Sequence, residues 1–225
     1  MRFQSLYGSG ILTAEDKRRL APALSAGLTC SEHSLTGGGR RHYFIDLPRV
    51  LTHPDSASLI VNMLTDYIRQ LQQTTQIDRL AFVDISSRGP SGLVPCQVAI
   101  SLATKVPGVT IRPEKRLFNS QVVGDLRPND RVLFLCDVLT TGQTLAHAYA
   151  IVARHQAEPV HALFVYEGDS GRANLEAVGI RTSSFMRKDD FLANAGGLRE
   201  SDEKALREPE PWNCTDLLPA LVAQI

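Results

Sequence analysis

The chain has 225 residues, 43% of them hydrophobic, and 24 Lys plus Arg balance 24 Asp plus Glu. That length and apolar content suit one sizeable α/β domain with a packed core and argue against disorder, while the balanced charge offers no global attraction to nucleic acid or to an acidic membrane surface. Four dispersed cysteines without Cys-x-x-Cys spacing argue against a disulfide framework or a structural zinc site. The lack of a basic leader or a membrane-length apolar run leads to the expectation of a cytoplasmic protein.

In chain order, Thr13 is expected to cap a helix running to about Gly27, with Asp16 at the third helical position in a capping-box arrangement. Gly37-Gly38-Gly39-Arg40-Arg41 marks a turn before a strand from Tyr43 to Leu47. Pro54 to Gln73 reads as a helix, with apolar residues at 57, 60, 61, 64, 67, 68 and 71 and a proline suited to its first turn. Strands and helices then alternate: strand Leu80 to Ile85, helix Ser91 to Lys105, strand Val109 to Arg112, and an irregular stretch to Pro128. Strand Val132 to Leu135, helix Gln143 to His155, strand Val160 to Tyr166, helix Arg172 to Val178 and strand Thr182 to Phe185 follow. The tail from Leu198 is acidic and broken by prolines, then turns apolar in LLPALVAQI, and is expected to form a closing helix that packs on the domain or on a partner chain.

Buried apolar strands alternating with helices predict a mostly parallel sheet covered on both faces. Such sheets bind ligands beyond the carboxyl ends of their strands. The stretch LFLCDVLTTGQTL is the strongest candidate. Its strand is expected to end at Leu135 or Cys136, leaving Asp137 at the sheet edge to accept hydrogen bonds from sugar hydroxyls. The following Thr140, Thr141, Gly142, Gln143 and Thr144 start a helix. A helix start exposes unpaired amides and a positive dipole end, Gly142 lets the backbone approach a ligand, and the threonine hydroxyls add donors: a cradle for a phosphate monoester. Taken alone, the same residues also read as an ordinary cap.

LFLCDVLTTGQTL resembles the phosphoribosyl-pyrophosphate (PRPP) signature of type I phosphoribosyltransferases. GGGRRHYFIDLPRVLTHP, IDRLAFVDISSRGPSGLVP, GDLRPNDRVLFL and GRANLEAVGI are similar, in order, to segments of orotate phosphoribosyltransferases, so the likeness runs from about residue 28 to 192. The resemblance implies a single-domain fold with residues 1–50 as a hood and entry strand, 51–195 as the core and 196–225 as a tail. It implies transfer of phosphoribosyl from PRPP to an orotate-like base with release of pyrophosphate, Mg²⁺ on the diphosphate and ribose oxygens without direct protein ligands, and a homodimer.

Carried over residue by residue, the resemblance makes Asp137, Lys115 and Arg116 catalytic and places the pyrophosphate at Ser87, Arg88, Gly89 and Arg112. It places the base at Arg40, Arg41, Tyr43 and Phe44. Asp84 is read either as an indirect aid to Mg²⁺ or as a cap. Tyr43 and Phe44 read equally as strand packing, and Lys115 and Arg116 as a basic surface loop. The sequence departs from the family in having Cys136 where the first of two adjacent acids stands, Pro113 for a lysine, Thr36 for another, and no loop histidine. Loss of one charge-assisted hydrogen bond to ribose costs about 1.5–3 kcal/mol. The alternative is therefore a weak or inactive homologue that binds PRPP or a nucleotide as a regulatory or assembly protein.

Overall fold

The computed structural model describes residues 8–9, 11–31, 33–34, 40–84, 92–113 and 120–208. Helix α1 (Ala14–Ser25) starts where the sequence suggests, with the Thr13 hydroxyl accepting from the Asp16 amide at 3.2 Å and donating to its carboxylate at 2.7 Å. Strand β1 (Gly8–Ser9) precedes it. Two short antiparallel ribbons follow: β2 (Leu28–Thr29) pairs with β5 (Phe44–Ile45), and β3 (His33–Ser34) with β4 (Arg40–Arg41). The strand expected to reach Leu47 stops two residues earlier. There the Asp46 carboxylate accepts from the Arg49 amide and caps helix α2 (Leu47–Leu51).

Helix α3 (Pro54–Leu71) buries Ile60, Leu64, Tyr67, Ile68 and Leu71, the face set by their spacing. Strand β6 (Arg79–Val83) comes next. The helix expected from Ser91 begins later: Val94–Cys96 form a 3-10 turn, and α4 is Gln97–Thr104. Pro95 lacks the N–H that an α-helix interior requires, which confines it to the entry turn. Strand β7 (Gly108–Ile111) pairs antiparallel with β8 (Val122–Val123). The chain then forms β9 (Arg131–Leu139), α5 (Gln143–Arg154), β10 (Glu158–Glu167), α6 (Gly171–Ala177) and β11 (Thr182–Arg187). Helices α7 (Lys188–Asn194) and α8 (Glu200–Arg207) close the described chain; α7 was not expected from the sequence, whereas α8 falls in the tail where a closing helix was. The apolar LLPALVAQI lies outside the described residues.

The main sheet has the order β1–β11–β10–β9–β6–β7–β8, parallel except for β8. Helices cover both faces. One apolar cluster packs α1, α3 and the N-terminal ribbon against Leu80, Phe82, Leu133, Leu135 and Leu163. The other packs α5 and Leu175 of α6 against Ala81, Val132, Phe134, Cys136 and Phe164. From β6 the chain moves outward to β7, and from β9 it moves the opposite way to β10 and β11. The order therefore reverses between β6 and β9, and a crevice opens at the carboxyl ends of those two strands.

Candidate active site

Strand β9 runs three residues past the end of LFLC, to Leu139. Its pairing with β6 ends at Leu135, opposite Phe82, whereas its pairing with β10 continues to Leu139, opposite Glu167. Asp137 is thus held in a strand on one side and lies beyond the end of β6 on the other. The expectation that the strand stops at Leu135 or Cys136 is corrected accordingly: β10 supplies the ladder that β6 does not. Asp137 is half-buried. Burial pushes its carboxyl above the ordinary aspartate range and the nearby Asp46 charge adds to the rise, against the lowering pull of the Val138 and Asp137 amides. Gly92, the first described residue after the β6 loop, backs onto it: a Cβ there would lie 3.2 Å from the Asp137 carboxyl carbon.

Past Leu139 the chain turns into α5. Gly142 caps that helix at φ +85°, ψ −7°, a left-handed conformation that a side chain disfavours. A methyl group on Gly142 would also stand 2.7 Å from Leu175 of α6. Thr140 and Thr144 are half-buried. Thr141 is buried, and its hydroxyl accepts a long 3.4 Å bond from the Gln143 amide, so it serves the turn before any ligand. Gln143 holds a buried side-chain oxygen that has no hydrogen-bond partner among the described residues.

Across the crevice, Arg112 follows β7 and its Nε lies 3.3 Å from Asp84 Oδ2, with Asp84 only 3% exposed. Arg112 therefore holds a buried acid while about a quarter of its side chain stays exposed to solvent. Ser87, Arg88, Gly89, Lys115 and Arg116 lie outside the described residues. Arg40 and Arg41 sit in β4, antiparallel to β3.

Burial decides between the two readings of Tyr43 and locates Cys136. Tyr43 is 1% exposed, its ring edge-on to Tyr166 with hydroxyls 3.3 Å apart, so it is core and not a face for a base. Phe44, on the opposite side of the strand, is 37% exposed and stays available. Cys136 is buried with Phe134 and Val132 under α5, and burial, with the Asp137 charge beside it, raises its thiol well above the ordinary range. It fills core there and presents no group to a sugar. The sequence reading also missed Gly171 and Asn174, which contact the Thr-Thr-Gly turn from α6.

Comparison with solved structures bears on the architecture. The chain superposes on orotate phosphoribosyltransferase from Aeropyrum pernix with a TM-score of 0.64 at 24% identity, covering 80% of this chain and 99% of the other. It superposes on the Mycobacterium tuberculosis H37Rv orotate phosphoribosyltransferase, solved in complex with PRPP, with a TM-score of 0.58 at 23% identity, covering 78% and 98%. The fold is that of the type I phosphoribosyltransferases. In sequence the chain is 32% identical over 166 residues to orotate phosphoribosyltransferase of Pyrococcus abyssi, spanning 72% of this chain and 86% of that protein. The chain belongs to the orotate phosphoribosyltransferase family. No family model matches it.

Proposed function

We propose that the protein transfers the 5-phosphoribosyl group of PRPP to a ring nitrogen of orotate and releases pyrophosphate. The observation that carries this reading is the half-buried Asp137 at the switch point, three residues before a turn whose Thr141 and Gly142 amides have no acceptor among the described residues. A sugar phosphate seated on that helix start places its ribose over the carboxylate. As the bond from the anomeric carbon to pyrophosphate breaks and the bond to the base nitrogen forms, positive charge grows on the sugar. Asp137 opposes that charge, and Thr140 through Thr144 hold the 5′-phosphate. Arg112, with Ser87, Arg88, Gly89, Lys115 and Arg116, meets the leaving pyrophosphate; Phe44, Arg40 and Arg41 meet the base. The segment through residue 50 then serves as the hood.

Among the described residues no group of three or more His, Cys, Asp or Glu could hold a metal. We read Mg²⁺ as borne mainly by the diphosphate and ribose oxygens of the substrate, as its preference for phosphates and water allows. Bound there, the ion would offset the diphosphate charge.

A homodimer is supported by α4. Gly108 faces Gln97 and Ser101 on its inner side, while Val98 and Leu102 are 70% and 75% exposed one turn apart. Leu102→Asp should shift a light-scattering mass from dimer to monomer. Among the described residues no helix is long and apolar enough to cross a membrane. Cys30, Cys96 and Cys136 are free thiols, which suits the reducing cytoplasm.

Pyrophosphate release with PRPP, Mg²⁺ and orotate tests the activity. Asp137→Asn should lower kcat by about 10²–10³ with PRPP still bound. No release with orotate, together with no calorimetric PRPP binding, would reject the reading.

A further inference from the structure

Helix α6 forms the back wall of the Thr-Thr-Gly turn, and three of its residues touch three successive residues of that turn. A methyl group on Gly171 would stand 2.3 Å from the Thr140 carbonyl oxygen, so that carbonyl points into the start of α6. Asn174 Nδ2 donates to the Thr141 carbonyl at 3.0 Å in a buried bond. Leu175 closes against Gly142.

A trans peptide is planar, and its N–H points opposite to its C=O. With the Thr140 and Thr141 carbonyls turned toward α6, the Thr141 and Gly142 amides point away from it, side by side. Among the described residues neither amide donates to an acceptor. Two successive amides aimed the same way, the second on a residue at φ +85°, form a concave anion nest. The wall itself is anchored. Arg172 forks onto the buried Glu167 through Nε and Nη2 and donates through Nη1 to the Thr182 carbonyl at 3.0 Å, fixing the first turn of α6 to β10 and β11.

Asn174 is 1% exposed and lies beside apolar Leu175. A buried amide needs a partner, and the Thr141 carbonyl is the partner it has. We propose that Asn174 is a positioning residue for phosphoribosyl transfer: by pinning the Thr141 carbonyl to α6 it aims the Thr141 and Gly142 amides at the 5′-phosphate of the substrate. Released from that bond, the peptide can rotate and turn a carbonyl toward the anion. The inference rests on the reading of this turn as the phosphate seat.

The test is a comparison of orotidine 5′-monophosphate with orotidine, titrated into wild type and Asn174→Leu, with steady-state kinetics for PRPP alongside. Leucine keeps the volume and removes the donor. The phosphate group should tighten wild-type binding, and that increment should shrink at least tenfold in the variant. KM for PRPP should rise by the same order, with kcat within about threefold and KM for orotate unchanged. Asn174→Ala, which removes the donor without adding an apolar branch, takes the same measurements if Asn174→Leu does not fold. A variant that keeps the full phosphate increment, or loses kcat and both KM values together with its melting temperature, overturns the role of Asn174 alone. A wild type that gains nothing from the phosphate overturns the seat and the inference with it.

Discussion

Arg112 joins the carboxyl ends of β6 and β7 through its 3.3 Å contact with Asp84, one strand away from Asp137. The guanidinium thus has two calls on it, a buried carboxylate and the pyrophosphate of the proposed substrate. Arg112→Met removes the cation facing Asp84 and should cost roughly 2 kcal/mol in a urea melt. It should also raise KM for PRPP while leaving KM for orotate in place. Asp84→Asn with Arg112→Met should recover most of the stability and none of the affinity.

Gly142→Ala strikes the turn twice, through its left-handed φ and through the contact with Leu175. The expected loss is about 1–3 kcal/mol of stability, read from thermal unfolding. PRPP binding should be weaker by calorimetry even at temperatures where the variant is fully folded.

Glu167 is almost wholly buried and receives Arg172 in two bonds, with Arg187 Nε 4.0 Å away. Arg172→Ala should destabilise the protein by about 3–5 kcal/mol, since it strands a buried charge. Removing both charges, as in Glu167→Gln with Arg172→Met, should cost markedly less in the same denaturant titration.

His161 lies buried in β10, its Nε2 2.9 Å from Ser183 Oγ. Burial, then the charges of Arg181 and Arg172, lower its pKa to about 4. The folded protein therefore resists the proton that the unfolded chain takes up near pH 6.5. Stability from this group is whole above that value, falls as the pH drops toward 4, and levels off below, a loss of roughly 3 kcal/mol. His161→Asn should flatten the stability curve between pH 6.5 and 4 measured by denaturant midpoints.

The central strands and long helices were legible because their signal is local: unbroken apolar runs for β6, β9 and β10, and one apolar stripe for α3 and α5. The end of β9 was not, because Asp137 and Val138 stay extended only through pairing with β10, a partner about 30 residues on. Helix α7 escaped because it buries little beyond Phe191, and the bounds of α8 within the tail were not readable because it buries only Asp202 and Leu206. In the candidate site, Thr140 to Thr144 could be read from consecutive residues. Asn174 could not, since a contact across 33 residues leaves no period in the sequence. The two readings of Tyr43, base face or strand packing, could not be separated, because strand alternation shows that neighbours diverge and not which of them faces inward.

The placement of Cys136 gives the molecule a clock. Cys30 sits half-exposed near α8, whereas the Cys136 sulfur is sealed between the sheet and α5. A thiol reagent should modify the first in the native protein and reach the second only when that layer parts, so the lag between the two labels counts openings of the central layer.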